Sequence, residues 1–354
     1  MISILPYLLR RRMLSFGAFF GFYACITPID TSLENQTNSL IVDAELTNSP
    51  GPYFVRLRLS SSFNSPPRVT GASVWIVDDL GNRLDFDEIA DGEYRSDSTS
   101  DFIGQIGRTY VLHVETLRGD LVESEPETMV DVPPIESMLI EPAERLRISD
   151  LGNEIVTNGF EVVLNTRSIG SQGTFLRYDY RGVFVAKTPN PTLRNISCFI
   201  LDEPPREYLN VFGTTIGEQL PILGIPIEFF RPTFKFDTLY FLITRQFSLN
   251  EKAFDYWDAV NRQRNSTGSI FDPTPSTIIN NLRDINDPEN EILGYFTVSG
   301  VTENSFEILR DELDPLGLRF EVPYTECFGF GPPAFCDSCN LIPNSSILFP
   351  EVIW

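Results

Sequence analysis

From Leu40 onward the chain alternates short hydrophobic runs with clusters of turn-forming residues. Leu40-Ile41-Val42 and the stretch from Tyr53 to Leu59 flank Asn48-Ser49-Pro50-Gly51-Pro52, a sequence that stops one strand and starts another. Ala72 to Val77 gives a third run, closed by the turn cluster Asp78-Asp79-Leu80-Gly81-Asn82. Tyr94 sits in a short run after Asp91-Gly92. Thr109 to Glu115 alternates: Tyr110, Leu112 and Val114 share one face, and His113 falls on the other. Arg118-Gly119-Asp120 then predicts a hairpin into Leu121-Val122. Short strands with a turn about every ten residues predict an N-terminal β-sandwich, immunoglobulin-like or transthyretin-like, over residues 40–134. Val132-Pro133-Pro134 closes it.

Residues 135–354 read as a larger, mostly β domain with one inserted helix. Strands are expected at Phe160–Leu164, Phe175–Ala186, Ser197–Leu201, Thr238–Thr244, Gly294–Val298 and Ser305–Leu309. Ser248-Leu249-Asn250-Glu251 has the form of a capping box, with Ser248 at the cap. Leu249, Ala253, Trp257 and Val260 follow at helical spacing, so the pattern predicts a helix over 249–265. The fold class is therefore mainly β, with a cysteine-containing tail.

The chain before Leu40 has a different character. Arg10, Arg11 and Arg12 precede an apolar run from Met13 to Ala24, and Cys25 follows directly. A basic start, an apolar stretch and a small residue at the cut form the secretory pattern. Phe22-Tyr23-Ala24-Cys25 resembles a lipobox, with bulkier residues than usual at Phe22 and Tyr23. Residues 1–24 are expected to be a lipoprotein signal peptide, and 25–39 a lipidated tether. The Cys25 thiol would take a diacylglyceryl group and its freed amine a further acyl chain such as palmitate. At about 0.8 kcal/mol per buried methylene, several chains anchor stably.

Charge narrows the partners. The formal net charge is -22, which repels phosphate backbones and anionic headgroups, so no nucleic acid partner is expected. Beyond Cys25 there are four cysteines: Cys198, Cys327, Cys336 and Cys339. An even number in an exported chain points to two disulfides, with three pairings open. Cys336-Asp337-Ser338-Cys339 also has the spacing of a zinc ligand pair, a competing reading. One histidine, His113, excludes a multi-histidine metal site. No G-x-S-x-G, P-loop or G-x-G-x-x-G is present, so no catalytic residue is named and no enzyme is expected. Asp78, Asp79, Asp284 and Asp287 lie in oxygen-rich turns and are weak calcium candidates, better read as solvated turns. No cofactor is expected beyond the lipid on Cys25.

Further motifs carry a resemblance. They include Leu40-Ile41-Val42-Asp43-Ala44, Val69-Thr70-Gly71-Ala72-Ser73-Val74, Asp91-Gly92-Glu93-Tyr94 and Gly107-Arg108-Thr109-Tyr110. More specific are Gln246-Phe247-Ser248-Leu249-Asn250-Glu251, Tyr256-Trp257, Phe271-Asp272-Pro273-Thr274-Pro275, Asn280-Asn281 and Leu293-Gly294-Tyr295-Phe296. With the C-x-x-C tail and Trp354, the chain resembles the Bacteroidota lipoprotein family catalogued as domain of unknown function 4249. The tail lacks the basic and glycine residues expected after the C-x-x-C.

The resemblance implies an outer-membrane lipoprotein facing the cell exterior, often encoded beside TonB-dependent transporters. It brings no catalytic residues. The function it suggests is a ligand-binding or accessory subunit of a TonB-dependent uptake complex, partnered by the transporter barrel. A structural or adhesive envelope lipoprotein is the alternative, and a hydrolase using acidic residues the third reading. Phe229, Phe230, Phe234, Phe236, Phe328, Phe330 and Phe335 are candidates for an aromatic binding surface, though such residues more often build cores.

Overall fold

The alternating runs fold into β1 (Leu40–Thr47), β2 (Phe54–Leu59), β3 (Ser73–Asp78), β4 (Arg83–Ala90), β5 (Glu93–Ser96), β6 (Thr109–Glu115), β7 (Leu121–Ser124) and β8 (Glu127–Thr128). Next come β9 (Ser137–Ile148), β10 (Glu154–Arg167), β11 (Thr174–Lys187), β12 (Ser197–Asp202), β13 (Asn210–Thr214), β14 (Pro221–Phe230) and β15 (Leu239–Leu249). Helix α1 (Glu251–Arg264) is followed by β16 (Leu282–Asp284), β17 (Ile292–Ser299), β18 (Val301–Leu309), the short helix α2 (Arg310–Leu313) and β19 (Ser345–Ser346). This computed structural model describes residues 39–61, 66–148, 152–169, 173–187, 197–205, 208–215, 217, 219–265, 278–320, 327 and 336–350. Residues 1–24 and Cys25, the segment Phe271–Pro275, and Phe328, Phe330, Phe335 and Trp354 lie outside the described residues. The chain is mainly β with one long inserted helix, as its patterning predicts.

Ten strands form the first sheet, in the order β16-β7-β6-β3-β4-β5-β2-β1-β17, with β8 paired to β6. Alternation decides what it buries. Leu40, Val42, Ala44 and Leu46 of β1 and Tyr110, Leu112 and Val114 of β6 enter one core. The break at Val132-Pro133-Pro134 separates β8 from β9, but the sheet is not complete there: β16 and β17 return from far downstream. β17 pairs parallel with β1. A parallel neighbour needs a long connection, so local periodicity cannot reveal it. Gly294 permits this pairing: its φ is +99°, and a Cβ there would collide with the Val42 carbonyl.

Asn281 joins the two ends of the strand order. Its backbone oxygen accepts from Glu125 N–H at 2.7 Å, on the β7 side. Its side chain accepts from Phe296 N–H at 3.0 Å and donates to the Phe296 carbonyl at 2.9 Å, on β17. One amide side chain thus takes the place of a strand partner.

The second core lies between a three-stranded sheet, β14-β10-β9, and a six-stranded one, β18-β15-β11-β12-β19 with β13 on β11. Phe160, Val162 and Leu164 of β10 face Leu176, Tyr178 and Tyr180 of β11 and Tyr240 and Leu242 of β15. Phe230 and Phe236 are buried here, and Phe234 packs against the same cluster. These candidate surface aromatics therefore serve the core.

The two cores are held at a polar seam. β17 of the first sheet runs through Gly300 into β18 of the six-stranded sheet. Ser248 donates to the Val130 carbonyl at 2.8 Å and accepts from Gly300 N–H at 2.9 Å. Its hydroxyl is engaged, so it does not cap α1. The cap is Asn250, whose side chain accepts from Ala253 N–H at 2.8 Å, and the helix starts two residues later than the pattern predicts. Glu127, buried, accepts from Asn281 at 2.8 Å, from Tyr295 Oη at 3.0 Å and from Asn250. Gln246, also buried, donates to the Pro133 carbonyl at 2.6 Å and accepts from Tyr178 Oη at 3.0 Å.

The cysteines form two disulfides, Cys198–Cys339 and Cys327–Cys336. No thiolate of the four is left for zinc. The first ties β12 to the tail across 141 residues, the second closes 9.

Two stability outcomes follow from this architecture. Glu127→Ala leaves the buried Asn281 and Tyr295 donors and the half-buried Asn250 amide without this acceptor and should cost about 3 kcal/mol in urea unfolding, whereas exposed Glu125→Ala should cost under about 0.5. An Ala variant at 127 as stable as the parent would show that the seam is not held there. Loop entropy puts the loss of Cys198–Cys339 at about 5 kcal/mol and that of Cys327–Cys336 at about 2.5. Paired Cys→Ala variants, melted without reductant, should rank in that order.

Candidate functional site

On the first sheet the inward parity of Val74 and Ile76 forces Ser73, Trp75 and Val77 outward, and that of Tyr110, Leu112 and Val114 sends Thr109, Val111 and His113 the same way. Register then lines up one outward residue from each of five strands: Asp85, Trp75, His113, Glu123 and Arg283. The Trp75 and His113 rings stack 5.2 Å apart, 13° from parallel. The Arg83 guanidinium lies over the Trp75 ring, 4.4 Å from its centre, and pairs with Asp85. Glu123 stands 3.7 Å from His113 Nδ1 and accepts from Arg283 at 3.0 Å.

Beside this row a shallow groove of about 350 Å³ opens. Val77, Asp78, Asp79, Thr109, Val111, His113, Glu123 and Pro126 line it. Burial lowers the His113 pKa below its ordinary value; Glu123 opposes that shift and Arg83 adds to it.

The acidic turns are satisfied from within. Asp78 Oδ1 accepts from Leu80 N–H at 2.9 Å and Asn82 N–H at 2.8 Å, and Oδ2 from the Asn82 amide and Arg108, both at 2.8 Å. Burial alone would raise the Asp78 pKa, but the hydrogen bonds from Asn82 and Leu80, with Arg108 beside it, hold it low. Asp79 pairs with the same Arg108. Asp284 Oδ1 accepts from Asn286 N–H at 2.9 Å, and Oδ2 from the Asn290 amide at 2.8 Å. Asp287 accepts from Glu289 N–H at 3.2 Å. All four calcium candidates thus act as turn-builders or ion-pair partners. Among the described residues no three His, Cys, Asp or Glu side chains form a metal-holding group.

One carboxyl is pushed upward. Burial raises the pKa of Glu228 on β14, which lies 3.3 Å from Tyr180 Oη. It belongs to the second core, whereas the groove belongs to the first sheet, so the raised acid and the concave surface do not meet. Patterning places His113 correctly on the outer face. It does not single out Trp75 and Arg83 beside it, although the alternation of β3 carries that signal. Glu127 escapes it altogether, because nothing local marks one acid among 49.

A solved structure titled "Biofilm associated protein - BSP domain" is similar at 7% identity over 76% of this chain, with a TM-score of 0.14. This chain spans 59% of its length, and a likeness at that score carries no argument about fold or function. No curated protein matches. The family model described as "Domain of unknown function (DUF4249)" matches residues 26–305, well over half of the 354. The outward row, the groove and the seam are thus features of a chain that belongs to the DUF4249 family.

Proposed function

We propose that the protein is a lipid-anchored, non-catalytic binding or accessory subunit of an outer-membrane uptake complex, facing the cell exterior. The observation that carries this reading is the groove beside His113: a concave outer-sheet surface whose charged groups already have internal partners. Such a surface offers shape and fixed charges, with the Trp75–His113 stack at its side, and its lining residues include no activated nucleophile. The arginines at 10–12, the apolar run and Cys25 supply an anchor by acylation. A transporter barrel of the TonB-dependent class is the partner that the family resemblance suggests, with the outer face of the first sheet turned toward it.

Affinity purification from native outer membranes in mild detergent should recover that barrel. Trp75→Ala combined with Arg83→Ala should reduce recovery about tenfold while leaving thermal unfolding within a few degrees of the parent. Cys25→Ser should move the protein from the membrane to the soluble fraction, and external protease should shave the unaltered protein from whole cells. Recovery of matrix components with no barrel would support the adhesive reading in its place.

The single histidine gives a second readout, since its imidazole resonances assign themselves. Their titration midpoint should lie below the ordinary 6.5. Glu123→Gln removes the charge that opposes the shift and should lower the midpoint further; Arg83→Met should raise it. A midpoint above 6.5 would show that burial does not govern this imidazole.

A further inference from the structure

The tail returns to the six-stranded sheet and borders the outer edge of β12. Two residue pairs make that contact, Phe199 with Ser346 and Ile200 with Ser345. Phe349 then stands edge-on to two rings, 5.4 Å from the centre of Phe199 and 5.1 Å from that of Phe241. Both rings project away from the second core, because Ile200, Tyr240 and Leu242 beside them point into it. The segment Cys339–Phe349 thus lies along a strand edge and ends on the outer face of the sheet, as a strap.

The noncovalent hold on this strap is slight. Ile347, Leu348 and Phe349 are 60%, 74% and 46% exposed, so they bury little apolar area. Ile342 packs partly buried against the second core. Backbone bonds of Leu341 to Ser338, Ile342 to Cys339 and Ser345 to Ile342 stay within the tail and do not fasten it to the sheet. The covalent hold is one bond. Cys327–Cys336 joins two positions of the tail to each other, whereas Cys198–Cys339 joins the tail to β12. What lies under the strap gives that bond its consequence. Ser197–Asp202 carries Phe199, Ile200 and Leu201 with no proline or lysine, and a bare edge of that kind is a template for another extended strand.

We propose that Cys198–Cys339 is a redox latch and that Cys339–Phe349 is the strap it closes. A dithiol reductant opens it. One thiolate of the reductant attacks a sulfur of the pair, its second thiol resolves the mixed disulfide, and Cys198 and Cys339 are left as thiols while the reductant becomes a disulfide. Both cysteines are fully buried, so attack waits on a local opening in which the strap lifts. Once the bond is broken, nothing covalent returns the strap to the edge, and two strand pairs with a half-exposed phenylalanine remain to hold it. The oxidised chain keeps β12 covered. The reduced chain presents it as an edge strand, and reoxidation covers it again.

The test is amide hydrogen exchange of the full chain in a Cys25→Ser background, oxidised, reduced with dithiothreitol and reoxidised, read at labelling times short enough that the core strands stay protected. Reduction should let an alkylating agent label Cys198 and Cys339. Peptides covering Ser197–Asp202 and Ser345–Phe349 should then exchange at least about tenfold faster, while β1, β6 and β10 stay protected. Reoxidation should restore the parent pattern. Cys198→Ala with Cys339→Ala should be open without reductant and unresponsive to it, and Cys327→Ala with Cys336→Ala should still respond. Phe349→Ala in the oxidised chain should leave β12 covered. Should a paired variant fail to fold, the reductant series on the parent decides alone. Unchanged protection of β12 after Cys198 and Cys339 have been alkylated overturns the proposal. Protection lost equally from β10 and β15 overturns it too, since the bond would then be a general staple of the second core.

Discussion

Everything in this molecule hangs on a carboxylate that has been taken out of water at the junction of its two cores. Glu127 is 2% exposed and accepts from Asn281, Tyr295 and Asn250. A buried carboxylate costs several kcal/mol unless its oxygens are satisfied. Its three donors come from three places: the approach to β16, the strand β17 and the cap of α1. None can shift without leaving a buried carboxyl oxygen short of a partner, so one side chain ties the edge of the first sheet, the returning strand and the helix together. Burial, with Glu127 alongside, also pushes the Tyr295 hydroxyl pKa far up, which keeps that hydroxyl a donor.

That junction gives a physical meaning to the motifs by which the chain resembles its family. Gln246 and Ser248 reach back to the Pro133 and Val130 carbonyls, and Asn250 to Glu127. Trp257 donates to Thr297 at 3.2 Å, while Tyr256 packs on Tyr295. Arg177 pairs with Glu45 and lies 4.0 Å from the centre of the Phe247 ring, bridging the sheets on the same side. The motifs at 246–251, 256–257, 280–281 and 293–296 converge on one seam. In this protein they mark how two β units are held, which explains why they point to a fold without naming a chemistry.

What could be read along the chain was whatever repeats locally. The inward face of β6 followed from alternation alone, and an inserted helix from its spacing. The helix boundary slipped because Ser248 answers a long-range demand, from Val130 and Gly300, that outweighs its local role as a cap. The same limit hid β16 and the pairing of β17 with β1, whose partners lie at the other end of the chain, and left the choice among three cysteine pairings open until the tail was placed against β12. Glu127 was illegible for the same reason: its environment is assembled from residues that share no sequence neighbourhood.

The polar inventory also bears on where function can reside. Asp78, Asp79 and Asp284, the most conspicuous acids in the sequence, spend their oxygens on nearby N–H groups and on Arg108. Glu228 faces a tyrosine inside a core, and the cysteines are bonded to one another. With these groups committed to structure, what the described residues present outward on the first sheet is the stacked row and the groove beside it. Its charges are fixed by internal partners and its rings by stacking, so a surface of that kind can select by shape and charge and not by reaction.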